Sequence, residues 1–152
     1  MSAFKIREAT EEDIPQMLVN GEAFLKEIGA NSVYFDPTSV RAVLLDCMAS
    51  RLCFIAVDEA GLHLGGIGAV VAQMPFNESI LLSIERFWWM VPGDRARGVG
   101  QQLLTALKER SKELDCDRLI MIALVNDTLP YVEKAYEKFG LTPIERTYML
   151  RL

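Results

Sequence analysis

Val91-Pro92-Gly93-Asp94-Arg95-Ala96-Arg97-Gly98-Val99-Gly100-Gln101-Gln102-Leu103-Leu104 opens with turn residues and closes as a helix. Upstream, Ile80 to Val91 is a long run, apolar on both faces, as in a central strand of a covered sheet. Downstream, Leu103, Leu104, Leu107 and Leu114 recur at helical spacing and predict a helix over Gly98 to Leu114. The segment thus runs strand, tight turn, helix. A helix N-terminus exposes N–H groups without helical acceptors, together with the positive end of the helix dipole, so it suits an anion. Glycines there let a phosphate reach the backbone and permit turn dihedrals closed to other residues. Arg95 and Arg97 add positive charge and donors for phosphate oxygens. These features point to a pyrophosphate site; the plainer reading is a helix start with glycines of no further meaning.

Two other phosphate loops do not fit. A Walker A loop needs Gly-Lys-Ser or Gly-Lys-Thr, which the chain lacks, and a dinucleotide fingerprint needs a third glycine where Gly98-Val99-Gly100 continues Gln-Gln-Leu. The loop also comes late in the chain rather than after the first strand.

The remaining elements follow from pattern. Phe4 to Glu8 alternates as a strand, and Thr10 with Asp13 resembles a capping box before a helical face of Ile14, Met17, Leu18, Phe24, Leu25 and Ile28, with a break near Gly21. Gly29 to Phe35 reads as loop. Asp36-Pro37 opens a second helix whose inner stripe is Val40, Val43, Leu44 and Cys47. Strands at Leu52 to Asp58 and Leu62 to Ala72 join through Glu59-Ala60-Gly61, and Pro75-Phe76-Asn77 makes the next turn. After the long strand and its helix come a buried strand at Arg118 to Val125, a helix at Pro130 to Phe139 and a last strand at Thr142 to Leu152. The order β-α-α-β-β-β-α-β-α-β describes an α/β sandwich in one domain over residues 1–152.

Composition narrows the function. With 152 residues and 51% hydrophobic residues the chain can bury a layered core. A formal charge of -5 argues against a nucleic-acid surface and is compatible with a cationic acceptor. No apolar run approaches a membrane span, and the N-terminus shows no export signal, so no membrane partner and a cytoplasmic location are expected. Three cysteines without C-x-x-C spacing suit a reducing compartment, and one histidine, His63, reads as a turn or edge-strand residue, so no metal is expected.

Arg95-Ala96-Arg97-Gly98-Val99-Gly100 fits every fixed position of [Q/R]-x-x-G-x-[G/A], and Ala135-Tyr136-Glu137-Lys138-Phe139-Gly140-Leu141 is similar to a Y-E-K-x-G-F motif, with Leu141 replacing the aromatic. In these two motifs and in element order the chain resembles the GNAT superfamily of N-acetyltransferases. Glu85 to Trp89 and the ending Tyr148 to Leu152 also resemble phage-encoded members. The resemblance implies a single-domain GNAT fold, with a mixed, mostly antiparallel sheet of about six to seven strands and about four helices. It implies acetyl-CoA as cosubstrate and a primary amine, on a small molecule or peptide, as acceptor. The amine would attack directly in a ternary complex, in a monomer or homodimer. The alternative is a non-catalytic GNAT-fold protein that binds the coenzyme or serves a structural role.

The resemblance also assigns sites. Amides from Arg95, Ala96, Arg97, Gly98, Val99, Gly100 and Gln101 would hold the pyrophosphate, while Met90 and Val91 would bond the pantetheine arm and one of their N–H groups would meet the oxyanion. Asn126 matches a pantetheine-contacting asparagine, but its spacing from Tyr136 is long: either the loop carries an insertion or Asn126 is a turn residue. Tyr136 matches the tyrosine that protonates the coenzyme sulfur; the alternative is a packing tyrosine, and Tyr131 is the poorer candidate. Glu85, a carboxylate in an apolar strand, is the candidate base, with Ser83 on the same face as a relay through water. Glu85 could instead pair with an arginine or face solvent, and a bulge in the strand would change its facing. Trp88 and Trp89 read as core residues, one of which could wall the acceptor pocket.

Overall fold

The computed structural model describes residues 3–29, 34–93 and 96–152. The chain divides into two compact units, Met1–Met121 and Ile122–Leu152.

In the first unit, β1 (Phe4–Glu8) ends in a single 3₁₀ turn, Glu11–Asp13, leading into α1 (Ile14–Glu27). The backbone N–H of Thr10 donates to the Asp13 carboxylate at 2.8 Å, which fixes the entry to the helix as a capping residue should. The expected break at Gly21 is absent: α1 runs through it, because a helix tolerates one glycine at a cost of about 1 kcal/mol. α2 (Pro37–Ala49) starts on Asp36, whose carboxylate accepts from the Ser39 N–H at 2.9 Å. β2 (Cys53–Asp58) and β3 (His63–Met74) form a hairpin closed by Asp58, which accepts from the N–H groups of Ala60 and Leu62. β4 (Asn77–Met90), α3 (Val99–Glu113) and β5 (Arg118–Ile120) complete the unit.

The sheet order is β1-β2-β3-β4-β5, antiparallel throughout except for the parallel β4–β5 pair. α1 and α2 cover one face, where Ile14, Met17, Leu44 and Cys47 pack on Cys53, Ile55 and Val57. α3 covers the other face with Val99, Leu103, Leu104 and Leu107, each almost wholly buried. Gly65 allows that approach, since a Cβ there would lie 2.8 Å from the Trp89 carbonyl and 3.0 Å from Val99.

The sheet has five strands among the described residues, not six to seven. Two expected strands differ, and the second of them accounts for the count. β5 stops at Ile120 rather than Val125, and Thr142 to Leu152 forms no strand. That last stretch keeps Ile144, Tyr148, Leu150 and Leu152 exposed. Alternating side chains give a segment a strand-like face, but a strand also needs a partner for its backbone groups. The second unit otherwise consists of a turn and α4 (Leu129–Phe139), which ends on Gly140 in the left-handed region. Among the described residues no helix is long and apolar enough to cross a membrane.

Candidate active site

β4 carries the bulge that its sequence left open. Glu85 lies opposite Ala69 and Phe87 opposite Gly68, so Arg86 has no partner residue on β3. An extra residue in one strand shifts the facing of everything beyond it. Before the bulge, Ser83 points toward α3, where its hydroxyl is bonded to that of Ser111 at 2.9 Å. Beyond it, Phe87 packs on the α1–α2 core, while Trp88 and Met90 lie against Gly100 of α3. By alternation Glu85 shares the α3 face with Ser83, Trp88 and Met90. Glu85 is buried, so it does not face solvent. Ser83 is 0% exposed, and its hydroxyl is held by that of Ser111 on α3.

The end of β4 is open on one side. Its last pairing with β5 is Ile84 with Ile120, and among the described residues no strand continues along that edge. The Val91 N–H is taken, donating to the Leu64 carbonyl on β3 at 2.9 Å. Antiparallel backbone groups alternate in direction, so Met90 turns its N–H and C=O away from β3, toward the open edge. Of the two expected oxyanion donors, Val91 is therefore engaged and Met90 is available.

The loop into α3 follows at once. Arg95 lies outside the described residues. The Ala96 N–H donates to the Gly93 carbonyl at 3.3 Å, so this amide belongs to the turn. The first helical bond of α3 runs from Gln102 to Gly98 at 3.2 Å, which leaves the N–H groups of Val99, Gly100 and Gln101 without a carbonyl inside the helix. Gly98 is the N-cap residue with φ 79°, a conformation that favours glycine, and a Cβ there would meet nothing within 4 Å. Open space in front of exposed amides at a positive helix end fits an anionic phosphate. Arg97 stands exposed beside it. Gly100 is glycine for packing: a Cβ would lie 3.1 Å from the Met90 thioether and 3.3 Å from Trp88.

In the second unit, the Asn126 side-chain oxygen accepts from the Thr128 N–H at 2.9 Å and its hydroxyl at 2.6 Å. The Asn126 carbonyl accepts from Leu129 at 3.0 Å. Asn126 thus makes the turn into α4, one of its two expected readings. The Tyr136 hydroxyl donates to the Ile122 carbonyl at 2.7 Å and the residue is buried. Tyr131 is 78% exposed.

Away from these elements, His63 opens β3 with its side chain buried, 3.4 Å from Asp13, which in turn holds both guanidinium nitrogens of Arg7 at 2.9 Å. Burial pushes the His63 imidazole below its ordinary value, and the Arg7 hydrogen bonds draw the Asp13 carboxyl down to about 2.

No protein-family model matches the sequence, and no curated protein matches it. Solved structures do match. A predicted acetyltransferase from Clostridium acetobutylicum, solved with acetyl-CoA, superposes with a TM-score of 0.78 at 17% identity, covering 98% of this chain and 96% of that one. A GCN5-related N-acetyltransferase from Ralstonia eutropha gives a TM-score of 0.73 at 20% identity, over 98% of this chain and 99% of its own. The chain has the GNAT fold. A third match is AAC(6')-Iy in complex with the bisubstrate analog CoA-S-monomethyl-acetylneamine, with a TM-score of 0.71 at 18% identity over 99% of both chains. None of the three is described as a phage protein, so the phage-type likeness gains no support. At these identities the likeness is one of fold.

Proposed function

We propose that the chain is a cytoplasmic, acetyl-CoA-dependent N-acetyltransferase, a single GNAT domain over residues 1–152, that acetylates a primary amine of a small-molecule or peptide acceptor in a ternary complex. One observation carries this reading: a helix N-terminus with exposed amides and a clear approach at Gly98 follows directly on a strand end whose Met90 N–H is turned to an open edge. The first feature suits a pyrophosphate and the second suits a carbonyl oxygen that gains charge during acyl transfer. Acetyl-CoA supplies both groups in one molecule.

The residues then take distinct tasks. Val99, Gly100 and Gln101 amides bind phosphate oxygens, with Arg97 adding charge. The Met90 N–H stabilises the oxyanion. Glu85 is the candidate proton acceptor for the attacking amine, and Tyr136 the candidate proton donor for the departing thiolate.

A second reading has a specific observation behind it. Both Tyr136 and Asn126 already have structural partners, as a coenzyme-binding protein without turnover would also show. A thermal-shift titration with acetyl-CoA, followed by an amine panel with thiol-release detection, separates the two. Stabilisation together with amine-dependent thiol release supports the enzyme. Stabilisation with no release across the panel supports the binder, and no stabilisation removes the coenzyme site altogether.

A further inference from the structure

Arg86 is a charged residue in the middle of a central strand. It is the extra residue of the β4 bulge, two positions past the last β4–β5 pair at Ile84 and four before Met90. The next residue, Phe87, packs on the α1–α2 core, and the Arg86 charge acts on the Cys47 thiol of that core. Leu44 and Cys47 of that core are buried, whereas Arg86 is exposed. Among the described residues its guanidinium makes no hydrogen bond or ion pair. A bulge re-aims a side chain, and here the bulged residue is the exposed one.

The two faces of β4 are therefore unlike near its open edge. The phosphate-binding end of α3 belongs to one face, where Gly100 meets Trp88 and Met90. An acceptor reaching a carbonyl held at Met90 has the other face to approach from, and Arg86 stands on that path. We propose that Arg86 recognises a carboxylate carried by the acceptor amine and so selects amino-acid-like or peptide acceptors over polycationic ones. This rests on the acetyltransferase reading above. A single guanidinium offers one planar fork, which matches one carboxylate, and it repels an acceptor bearing several ammonium groups. The net charge of -5 points the other way, toward cations. However, exposed charges more than about 10 Å away are largely screened at ordinary salt, so the near group decides.

The test compares ω-amino carboxylic acids of increasing chain length with their primary amides, and with diamines of matched length. The wild type is expected to favour the acid at its best length by tenfold or more in kcat/KM. Arg86→Gln should bring the acid-to-amide ratio close to one, Arg86→Lys should keep its sign, and Arg86→Glu should turn the preference toward the diamine. Equal use of acid and amide by the wild type, or a preference that survives Arg86→Gln, overturns the proposal. If no amine is acetylated, the acetyltransferase reading fails and calorimetry in the presence of CoA decides the Arg86 site. Acid binding by the wild type that Arg86→Gln abolishes sustains a carboxylate site. No acid binding, or equal binding by both, overturns it.

Discussion

Gly98 and Gly100 stand two residues apart in one motif and are glycine for different reasons. Gly98 has a positive φ and open space in front of it; Gly100 has an ordinary backbone and no space. Gly98→Val therefore adds backbone strain of about 1–2 kcal/mol and places a branched side chain where phosphate approaches. Acetyl-CoA affinity should fall well over tenfold, about 1.4 kcal/mol, as read by calorimetry on the folded variant. Unchanged affinity would remove the phosphate from this position. Tyr136 poses a different question. Tyr136→Phe keeps the ring and removes the proton, so turnover should fall on the order of 10² if the hydroxyl protonates the thiolate. It also deletes the hydrogen bond to Ile122, which costs about 0.5–1.5 kcal/mol of stability. A lower melting temperature with full activity would make Tyr136 a packing residue. Glu85→Gln should flatten the rising limb of the pH–rate profile, because no carboxylate remains to titrate; an unchanged limb would exclude Glu85 as the base.

At the scale of elements, the junction of β1 with α1 yields a pH prediction. The Asp13 carboxyl is held down to about 2 by Arg7, so it is charged in the folded state where an unfolded chain would already be protonated. A depressed carboxylate stabilises the fold above its unfolded value near 3.8 and loses that contribution as pH falls toward about 2. His63, lowered by burial, adds an earlier loss that begins below its ordinary value of 6.5, since the unfolded chain takes up that proton more readily. Urea unfolding of Asp13→Asn should show a flatter stability curve between about pH 4 and pH 2, and His63→Gln a flatter one below about pH 6.5. Curves parallel to the wild type would exclude these groups. This junction was legible in sequence as Thr10 and Asp13, as were the Asp36 cap and the Glu59 to Gly61 turn, because caps and turns are written in residues a few positions apart. The bulge at Arg86 was not. It depends on which β3 residue lies opposite, and strand pairing is a non-local choice. The same limit applies to β5 and to Thr142–Leu152, whose apolar residues suited a strand while nothing local named a partner. The strand–turn–helix course into α3 was legible in outline, but that Val91 donates to Leu64 and Ala96 to Gly93 follows only from the folded backbone.

For the molecule as a whole, the thiols bear on the route that the proposed acetyl transfer would take. Transfer could run by direct attack of the amine on bound acetyl-CoA, or through an acetyl-cysteine in two half-reactions. The second route needs a thiolate at working pH, since the thiol itself is a poor nucleophile. Burial pushes the Cys47 thiol up to about 12, and it raises Cys53 and Cys116 as well. Cys47 and Cys53 are also enclosed in the α1–α2 core, out of reach of a substrate. None of the three is poised to accept an acetyl group, which favours direct attack as the route of the proposed acetyl transfer. Initial rates measured with both substrates varied should give intersecting reciprocal lines, and no thiol should be released before amine is added. Cys116→Ser should turn over like the wild type, this being the one cysteine that is not fully buried. Parallel lines, or a burst of thiol from acetyl-CoA alone that Cys116→Ser abolishes, would replace direct attack with a covalent route.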